Sequence, residues 1–202
     1  MRYAVLIPAR YGSTRLEGKV LLRESGKYLV QHVQERALQA EGVDRAVVLT
    51  DDDRVEAAVL SYGGDVLRTR SDHASGTDRC AEAAARLDVD VVVNLQADEP
   101  LIEPADLAHL AEAVHGGGAD LATLGYPIAD PAHEQDPNAV KALVAPEGVA
   151  LDFFRPEPTA SQRRSGRVLH HLGLYAFPRE RLLDFAAMPP SPREKAERLE
   201  QL

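Results

Sequence analysis

YAVLIPARYGSTRLEGK, residues 3–19, is an apolar run followed by a loop rich in glycines and cations. The run Tyr3–Ile7 ends at Pro8 and is typical of a buried strand. Similar short apolar runs follow at residues 46–49, 66–67 and 89–95, and helical patterns separate them. This alternation predicts an α/β fold with a Rossmann-like, mostly parallel sheet between two layers of helices. Ligands of such sheets bind beyond the carboxyl ends of the strands, so the loop after the first strand is a candidate binding site.

Helical patterns and their end signals divide the rest of the chain. The predicted helices cover residues 29–41, 55–62, 77–87 and 104–115. Beyond residue 120 the pattern is weaker, and short strands are expected near 121–126, 140–144 and 169–177, with a Pro/Ser/Arg-rich loop at 155–167. We therefore expect one domain over 1–202, with a strongly patterned half at 1–120 and a smaller, mixed, β-rich half at 121–202.

The composition excludes several classes of protein. The 202 residues carry 32 acidic and 23 basic side chains, a formal charge of -9, which disfavours general binding to nucleic acid. No apolar run approaches the length that spans a bilayer, and the short apolar start is unlike a secretory signal. The single cysteine, Cys80, is expected to be a buried structural thiol. We expect a soluble cytoplasmic protein with no nucleic-acid or membrane partner.

The loop after the first strand is the first candidate site. Its cations are Arg10, Arg15 and Lys19, and its small residues are Gly12, Ser13 and Gly18. Cations and flexible backbone donors at a strand's carboxyl end suit a polyphosphate, although the loop is neither a Walker loop nor a dinucleotide fingerprint. The alternative is a solvated basic loop in an acidic protein.

The second candidate is RTRSDHASGTDR, residues 68–79. Ser75, Gly76 and Thr77 lead into a predicted helix, where hydroxyls and free amides could face a ligand. The alternative is that Ser75 or Thr77 is simply a helix N-cap.

The third candidate is VVVNLQADEPLI, residues 91–102. A buried strand ends here in Gln96, Asp98 and Glu99. A carboxylate at this edge could hold Mg²⁺ against nucleotide phosphates, because Mg²⁺ takes few protein ligands. We expect Asp98 to be that ligand, whereas Glu99 also fits a capped turn.

Together these segments resemble the 3-deoxy-manno-octulosonate cytidylyltransferases, or CMP-Kdo synthetases. The likeness covers essentially the whole chain and is carried by five strings in the family's order: IPARYGSTRL-GK, TRSDHASGTDR, NLQADEP, DPNAVK (136–141) and HLGLYAF (171–177). The resemblance implies a fold of the nucleotide-diphospho-sugar transferase type. It also implies transfer of CMP from CTP to the sugar acid Kdo with release of pyrophosphate, dependence on Mg²⁺, and a role in lipopolysaccharide biosynthesis.

The resemblance also implies a role for each matching residue. Arg10, Arg15 and Lys19 would grip the triphosphate, and Asp98 would bind Mg²⁺. The cytidine would be surrounded by Arg70, Asp72, Ser75, Gly76 and Gln96. The sugar acid would be faced by Arg155, His171, Tyr175, Glu200 and Gln201. The half at 1–120 would then be the nucleotide-binding half, and that at 121–202 the sugar-binding and dimerisation half of a homodimer.

Two alternatives remain open from the sequence. The acceptor could be another 2-keto sugar acid, such as a sialic-acid-like substrate, or the chain could bind nucleotide without turnover. The family continues beyond the position of Leu202 with a segment expected to supply a second metal-binding aspartate. We therefore expect this chain to be truncated at its C-terminus.

Overall fold

The computed structural model describes residues 1–12, 16–197, 199–200 and 202, with the side chains of residues 131 and 133 left out. The chain forms two compact units. The first contains Met1–Ala122 and Leu174–Ala187, and the second contains Thr123–Gly173 and Met188–Leu202. The single domain with a division after residue 120 stays a prediction.

A mostly parallel sheet forms the centre of the first unit. Its strands are β1 (Tyr3–Pro8), β2 (Val43–Thr50), β3 (Asp65–Arg68), β4 (Val91–Asn94) and the end of β8 (Arg167–Pro178). The strand order is β3-β2-β1-β4-β8, in which β1 is parallel to β2 and β4, β2 is parallel to β3, and β8 is antiparallel to β4. The predicted α/β class with a mostly parallel sheet is therefore confirmed.

Helices follow each of these strands along the chain. They are α1 (Leu29–Ala37), α2 (Asp53–Ser61), α3 (Gly76–Ala84), α4 (Pro104–His115) and α7 (Arg179–Ala187), and a short 3-10 helix covers Lys19–Leu21. The side chain of Asp52 accepts a hydrogen bond from the Arg54 amide and so caps α2.

The core explains why the first strand is an uninterrupted apolar run. Alternate residues of a strand point to opposite faces of the sheet. Ala4 and Leu6 pack in a cluster with side chains of α3 and α7, including Cys80. Tyr3 and Val5, on the other face, are also fully buried, and α1 and α4 contact the sheet through β2 and β4. Helices on both faces leave no place for polar residues, and the prediction of a buried Cys80 is confirmed.

The second unit is mixed and richer in short elements. It contains most of β5 (Ala122–Pro127), then α5 (Pro131–Gln135), β6 (Lys141–Val144), β7 (Ala150–Phe154), α6 (Ala160–Ser165), the start of β8 and α8 (Pro192–Glu197). β6 pairs antiparallel with β7 and β8, and β5 also pairs with β8. The expectation of an unbroken loop at 155–167 is wrong, because Thr159 and Gln162 form a capping box that begins α6.

Candidate active site

The three predicted clusters follow the carboxyl ends of neighbouring parallel strands. β1 and β4 pair from Tyr3 with Val91 to Leu6 with Asn94, so the loops that follow them leave the same edge of the sheet. The amide of Leu95 donates to the Leu6 carbonyl at 2.9 Å and extends this pairing by one step. The segments after β2 and β3 leave the same edge, since those strands are also parallel to β1. The strand order thus gathers the candidate residues of the first unit.

The loop after β1 turns back on itself around Gly18. The Gly18 amide donates to the Tyr11 carbonyl at 2.8 Å, and Gly18 has a φ of 68°, a conformation that favours glycine. A Cβ at this position would lie 3.0 Å from the Tyr11 ring. The guanidinium of Arg54 lies over the Tyr11 ring, 3.3 Å from its centre. Residues 13–15 lie outside the described residues, so the placement of Arg15 stays a prediction.

Lys19 and Asp98 are in direct contact. The Lys19 ammonium donates to Asp98 Oδ2 and forms an ion pair with it. Their side chains are 31% and 40% exposed, so both groups are accessible at this edge of the sheet. The cationic loop after β1 and the carboxylate after β4 therefore converge, as a shared phosphate and metal site requires.

The neighbours of Asp98 complete this part of the edge. Gln96 is half-buried, and Glu99 is partly buried beside Asp98. Burial raises the pKa of the Glu99 carboxyl, and the negative charge of Asp98 adds to this effect, while Lys19 opposes it. The Glu99 carboxyl is therefore harder to ionise than that of an exposed glutamate.

Arg10 joins the first loop to the second. Its Nη2 donates to the His73 carbonyl at 2.8 Å and to the Ser75 carbonyl at 2.9 Å. These acceptors lie 63 and 65 positions away in the sequence, and nothing in the sequence pattern indicated the contact. Arg10 thus holds backbone in addition to any part it takes in binding phosphate.

Ser75 is the N-cap of α3, and Gly76, the first residue of that helix, lies close to the end of β1. The Ser75 hydroxyl accepts from the Asp78 amide at 3.0 Å, and the Asp78 carboxylate accepts from the Ser75 amide at 2.9 Å. This capping box is the structural role left open for Ser75. A Cβ on Gly76 would lie 3.3 Å from Cγ of Pro8, so glycine allows the start of α3 to approach the end of β1 closely.

Arg70 and Asp72 project from the segment between β3 and α3. The two side chains are 69% and 71% exposed and pair at 3.1 Å. An exposed pair of this kind contributes little to stability. Both groups are therefore accessible to a ligand at the same edge of the sheet.

Arg79 is a residue that sequence reasoning did not select. Its side chain is fully buried, lies 3.1 Å from Asp51 Oδ1 and donates to the Thr69 hydroxyl at 2.5 Å. Burial lowers the pKa of Arg79, the Asp51 charge opposes this, and nearby Arg10 adds to it. Arg79 thus links the segment after β2, through Asp51, to the segment after β3, through Thr69. An arginine in an alanine-rich helix gives no sequence signal of such burial.

The residues implied for the sugar acid divide between the two units. Tyr175 lies in the first unit, where it packs in the α3–α7 core cluster and is 6% exposed. In the second unit, Arg155 donates to the Asn138 carbonyl at 2.8 Å and Glu200 is partly buried. Gln201 lies outside the described residues. The sugar-binding roles of this set stay predictions.

His171, in the second unit, is buried. Its Nε2 lies 2.9 Å from the Thr123 hydroxyl, and its ring meets Phe153 edge-on with 4.9 Å between centres. Burial lowers the pKa of His171 to about 4, and the neighbouring His170 adds to the effect. The imidazole is therefore neutral at pH 7, in which form it can both donate and accept a hydrogen bond.

The carboxylates after β4 are compatible with a magnesium ion. Mg²⁺ is usually held by one or two carboxylates together with water and substrate phosphates, and Asp98 offers an exposed carboxylate of this kind. Over residues 1–12, 16–197, 199–200 and 202, no group of three or more metal-binding side chains is present. In the same part of the chain, no helix is long and apolar enough to cross a membrane.

Comparison with known proteins identifies the class. A family model described as cytidylyltransferase matches residues 4–202. A 3-deoxy-manno-octulosonate cytidylyltransferase of Escherichia coli is 45% identical, over 98% of this chain and 81% of its own length. An 8-amino-3,8-dideoxy-manno-octulosonate cytidylyltransferase of Shewanella amazonensis is 43% identical, over 100% of this chain and 85% of its own.

A solved structure agrees with these relatives. A CMP:2-keto-3-deoxy-manno-octonic acid synthetase complexed with CTP superposes with a TM-score of 0.92 at 43% identity, over 100% of this chain and 84% of that one. The chain therefore belongs to the cytidylyltransferase family, and it is a nucleotidyltransferase by class. The resemblance inferred from the five strings is confirmed, and so is the expected fold of the nucleotide-diphospho-sugar transferase type.

Proposed function

We propose that this protein transfers CMP from CTP to 3-deoxy-D-manno-octulosonate and releases pyrophosphate. The observation that carries the proposal is the contact of Lys19 with Asp98, which brings the cationic loop and an accessible carboxylate to one point. The proposal is supported by relatives of that name and by the likeness to a synthetase complexed with CTP. As parts of the same proposal, the enzyme is a cytoplasmic homodimer whose product serves lipopolysaccharide biosynthesis.

The reaction requires neutralisation of the negative charge on the phosphates and no covalent nucleophile from the protein. Arg10, Arg15 and Lys19 would hold the triphosphate and stabilise the charge that develops on its oxygens. The anomeric hydroxyl of the sugar acid attacks the α-phosphorus in line, and its proton passes to solvent water. The new bond joins that oxygen to the α-phosphorus, while the bond from the α-phosphorus to the bridging oxygen breaks and pyrophosphate departs. Binding of the reacting groups in this orientation removes much of the entropic barrier.

Asp98 would hold Mg²⁺ in this proposal. When bound, the ion would withdraw charge from the phosphate oxygens. Lys19 is close enough to Asp98 to pair with it, so nucleotide binding would exchange this ion pair for contacts of Lys19 with phosphate and of Asp98 with the metal. The pair thereby keeps both side chains at the place where they are needed.

Pyrophosphate release tests the proposal directly. We expect release from CTP when Kdo and Mg²⁺ are both present, and we expect CTP to raise the melting temperature because it binds the folded state. CTP binding without release, even with the family's C-terminal segment added, would instead indicate a nucleotide-binding module. Release only with neuraminate would indicate a sialic-acid-like substrate.

An 8-amino sugar acid is the second candidate acceptor. The Shewanella relative of that name matches as closely as the Kdo enzymes, so overall identity does not separate the two sugars. Parallel kcat/KM values for Kdo and its 8-amino analogue decide between them.

Asp98→Asn gives a sharper test of the metal's place. The change keeps the volume and removes the charge, so we expect the fold to persist while activity at saturating Mg²⁺ falls by about 100-fold or more. Asp53→Asn is the matched control, because Asp53 is an exposed carboxylate of the same unit that pairs with Arg68. Near-normal turnover of Asp98→Asn would contradict the role of Asp98 as metal ligand.

A further inference from the structure

Glu82, on α3, gathers partners from the segment that precedes its own helix. Its Oε2 accepts from the Arg70 amide at 3.0 Å and lies 2.5 Å from Nε2 of His73, and its Oε1 pairs with Arg86. The side chains of His73 and Glu82 are only 7% and 15% exposed. The carboxylate therefore contacts both a backbone amide and a buried ring of one short segment.

The charge of Glu82 is retained in this setting. Burial alone would raise the pKa of its carboxyl, but hydrogen bonds from the Arg70 amide and the His73 ring, with the charge of Arg86, hold that pKa below its ordinary value. Hydrogen bonds to an ionised acceptor are stronger than those between neutral groups. The contacts of Glu82 with the segment are accordingly of the strong kind.

The same segment is held from its other side by Arg10. The Nη2 of Arg10 donates to the carbonyls of His73 and Ser75, so His73 is fixed at both its ring and its carbonyl. Between these anchors, Arg70 and Asp72 are well exposed. A segment with so little apolar burial depends on polar contacts for its conformation.

We propose that Glu82 and His73 are positioning residues that set the conformation of residues 70–75 and thereby the affinity for the cytosine nucleotide. The inference rests on the proposed function, in which this segment surrounds cytidine. Glu82 and His73 act through the backbone of the segment, whereas the phosphates are held by the loop after β1. Loss of either residue therefore weakens recognition of the nucleoside and leaves the grip on phosphate intact.

A double-mutant cycle tests the pair. We expect Glu82→Ala and His73→Ala each to raise the dissociation constant of CTP and its KM about tenfold, as for loss of one strong hydrogen bond. The double variant should bind CTP hardly more weakly than Glu82→Ala alone, because the His73 ring acts through its contact with Glu82. The KM for the sugar acid and the affinity for inorganic triphosphate should stay within about twofold of wild type. Glu82→Gln keeps an acceptor oxygen and should recover part of the loss.

Glu56→Ala is the matched control. Glu56 is also a helical glutamate that pairs with an arginine, but its helix is α2 and its partner, Arg68, precedes the segment 70–75. We expect it to leave CTP binding unchanged. Should Glu82→Ala fail to fold, Glu82→Gln with hydrogen exchange supplies the test, because exchange should then accelerate in residues 70–75 and remain unchanged in β1 and β4.

The outcomes separate the two proposals. Three results would each overturn the positioning role while the proposed function stands. The two substitutions could raise the dissociation constant of CTP by factors that multiply in the double variant, they could leave that constant unchanged, or they could weaken CTP and inorganic triphosphate equally. A wild-type chain that does not bind CTP would overturn the proposed function and this inference with it.

Discussion

At the scale of single residues, the cationic side chains of the site have different structural roles. Lys19 is accessible and paired with an accessible carboxylate, whereas Arg79 is fully buried and holds Asp51 and Thr69. Arg10 lies between these extremes and binds two backbone carbonyls. The sequence distinguishes none of these settings, since all three residues are simply positive.

Removal of the partner of Arg79 should cost much stability. Asp51→Ala leaves a buried guanidinium without its countercharge, so we expect the free energy of unfolding to fall by about 3 kcal/mol. For a chain of this size, that corresponds to a melting temperature lower by roughly 6–12 °C in a thermal melt.

Two comparisons check the cause of this loss. Asp53→Ala removes a 92% exposed carboxylate two residues further along and should lower the melting temperature only slightly. The pair Asp51→Ala with Arg79→Met should be more stable than Asp51→Ala alone, because the unpaired charge is then gone. A double variant no better than the single one would speak against an uncompensated charge.

At the scale of elements, the 3-10 helix that carries Lys19 is joined to Tyr11 through Gly18. Gly18 precedes Lys19–Leu21, has a left-handed φ and lies against the Tyr11 ring. Tyr11 also carries the Arg54 guanidinium on its face. The position of Lys19 thus depends on a glycine that cannot accept a side chain without strain.

Gly18→Ala should therefore reduce CTP affinity more than its loss of stability suggests. The left-handed conformation costs an alanine about 1 kcal/mol, and the added methyl must also displace the Tyr11 ring. Gly26→Ala is the matched control, since Gly26 has a φ of 85° but nothing within 4 Å of its Cβ position. In calorimetry we expect a loss of stability for both variants, somewhat larger for Gly18→Ala, and we expect weaker CTP binding only for Gly18→Ala. Equal CTP affinity in the two variants would refute the link from Tyr11 to Lys19.

Elements also show where sequence patterns stop being informative. β1 to β4 and α1 to α4 follow from apolar runs and end signals, because long buried elements need regular patterns. α6 was missed because its capping box is hidden among prolines, serines and arginines at 155–167. In the site, the rule that ligands bind beyond the carboxyl ends of parallel strands selected both the loop that carries Lys19 and the segment that carries Asp98. The contacts of Arg10 with His73 and of Arg79 with Asp51 join distant positions through backbone or buried polar groups that leave no periodic signal.

At the scale of the whole molecule, stability should depend on a neutral buried histidine. The pKa of His171 is about 4 when folded against an ordinary value of 6.5, so the unfolded chain binds more protons between these pH values. This contribution to stability is present above about pH 6.5 and is lost as the pH falls toward 4. Between pH 7 and pH 5 the loss amounts to about 2 kcal/mol.

His171→Asn removes the titrating group and keeps polar atoms near the Thr123 hydroxyl. The variant should be less stable than wild type at pH 7, because the ring contact with Phe153 is lost. Its denaturant midpoint should then change less between pH 7 and pH 5. If the denaturant midpoints of the two proteins fell in parallel between pH 7 and pH 5, folding would not lower the pKa of His171.

The use of main-chain oxygens by Arg10 has an evolutionary consequence. Carbonyl groups are common to all amino acids, so mutational drift at positions 73 and 75 leaves the acceptors of that arginine chemically unaltered. No such tolerance extends to position 10, where a lysine would offer a single ammonium in place of a planar fork. Among proteins descended from this chain, position 10 should therefore remain arginine. The side chains at positions 73 and 75 should be freer to change, to the extent that the Glu82 contact permits.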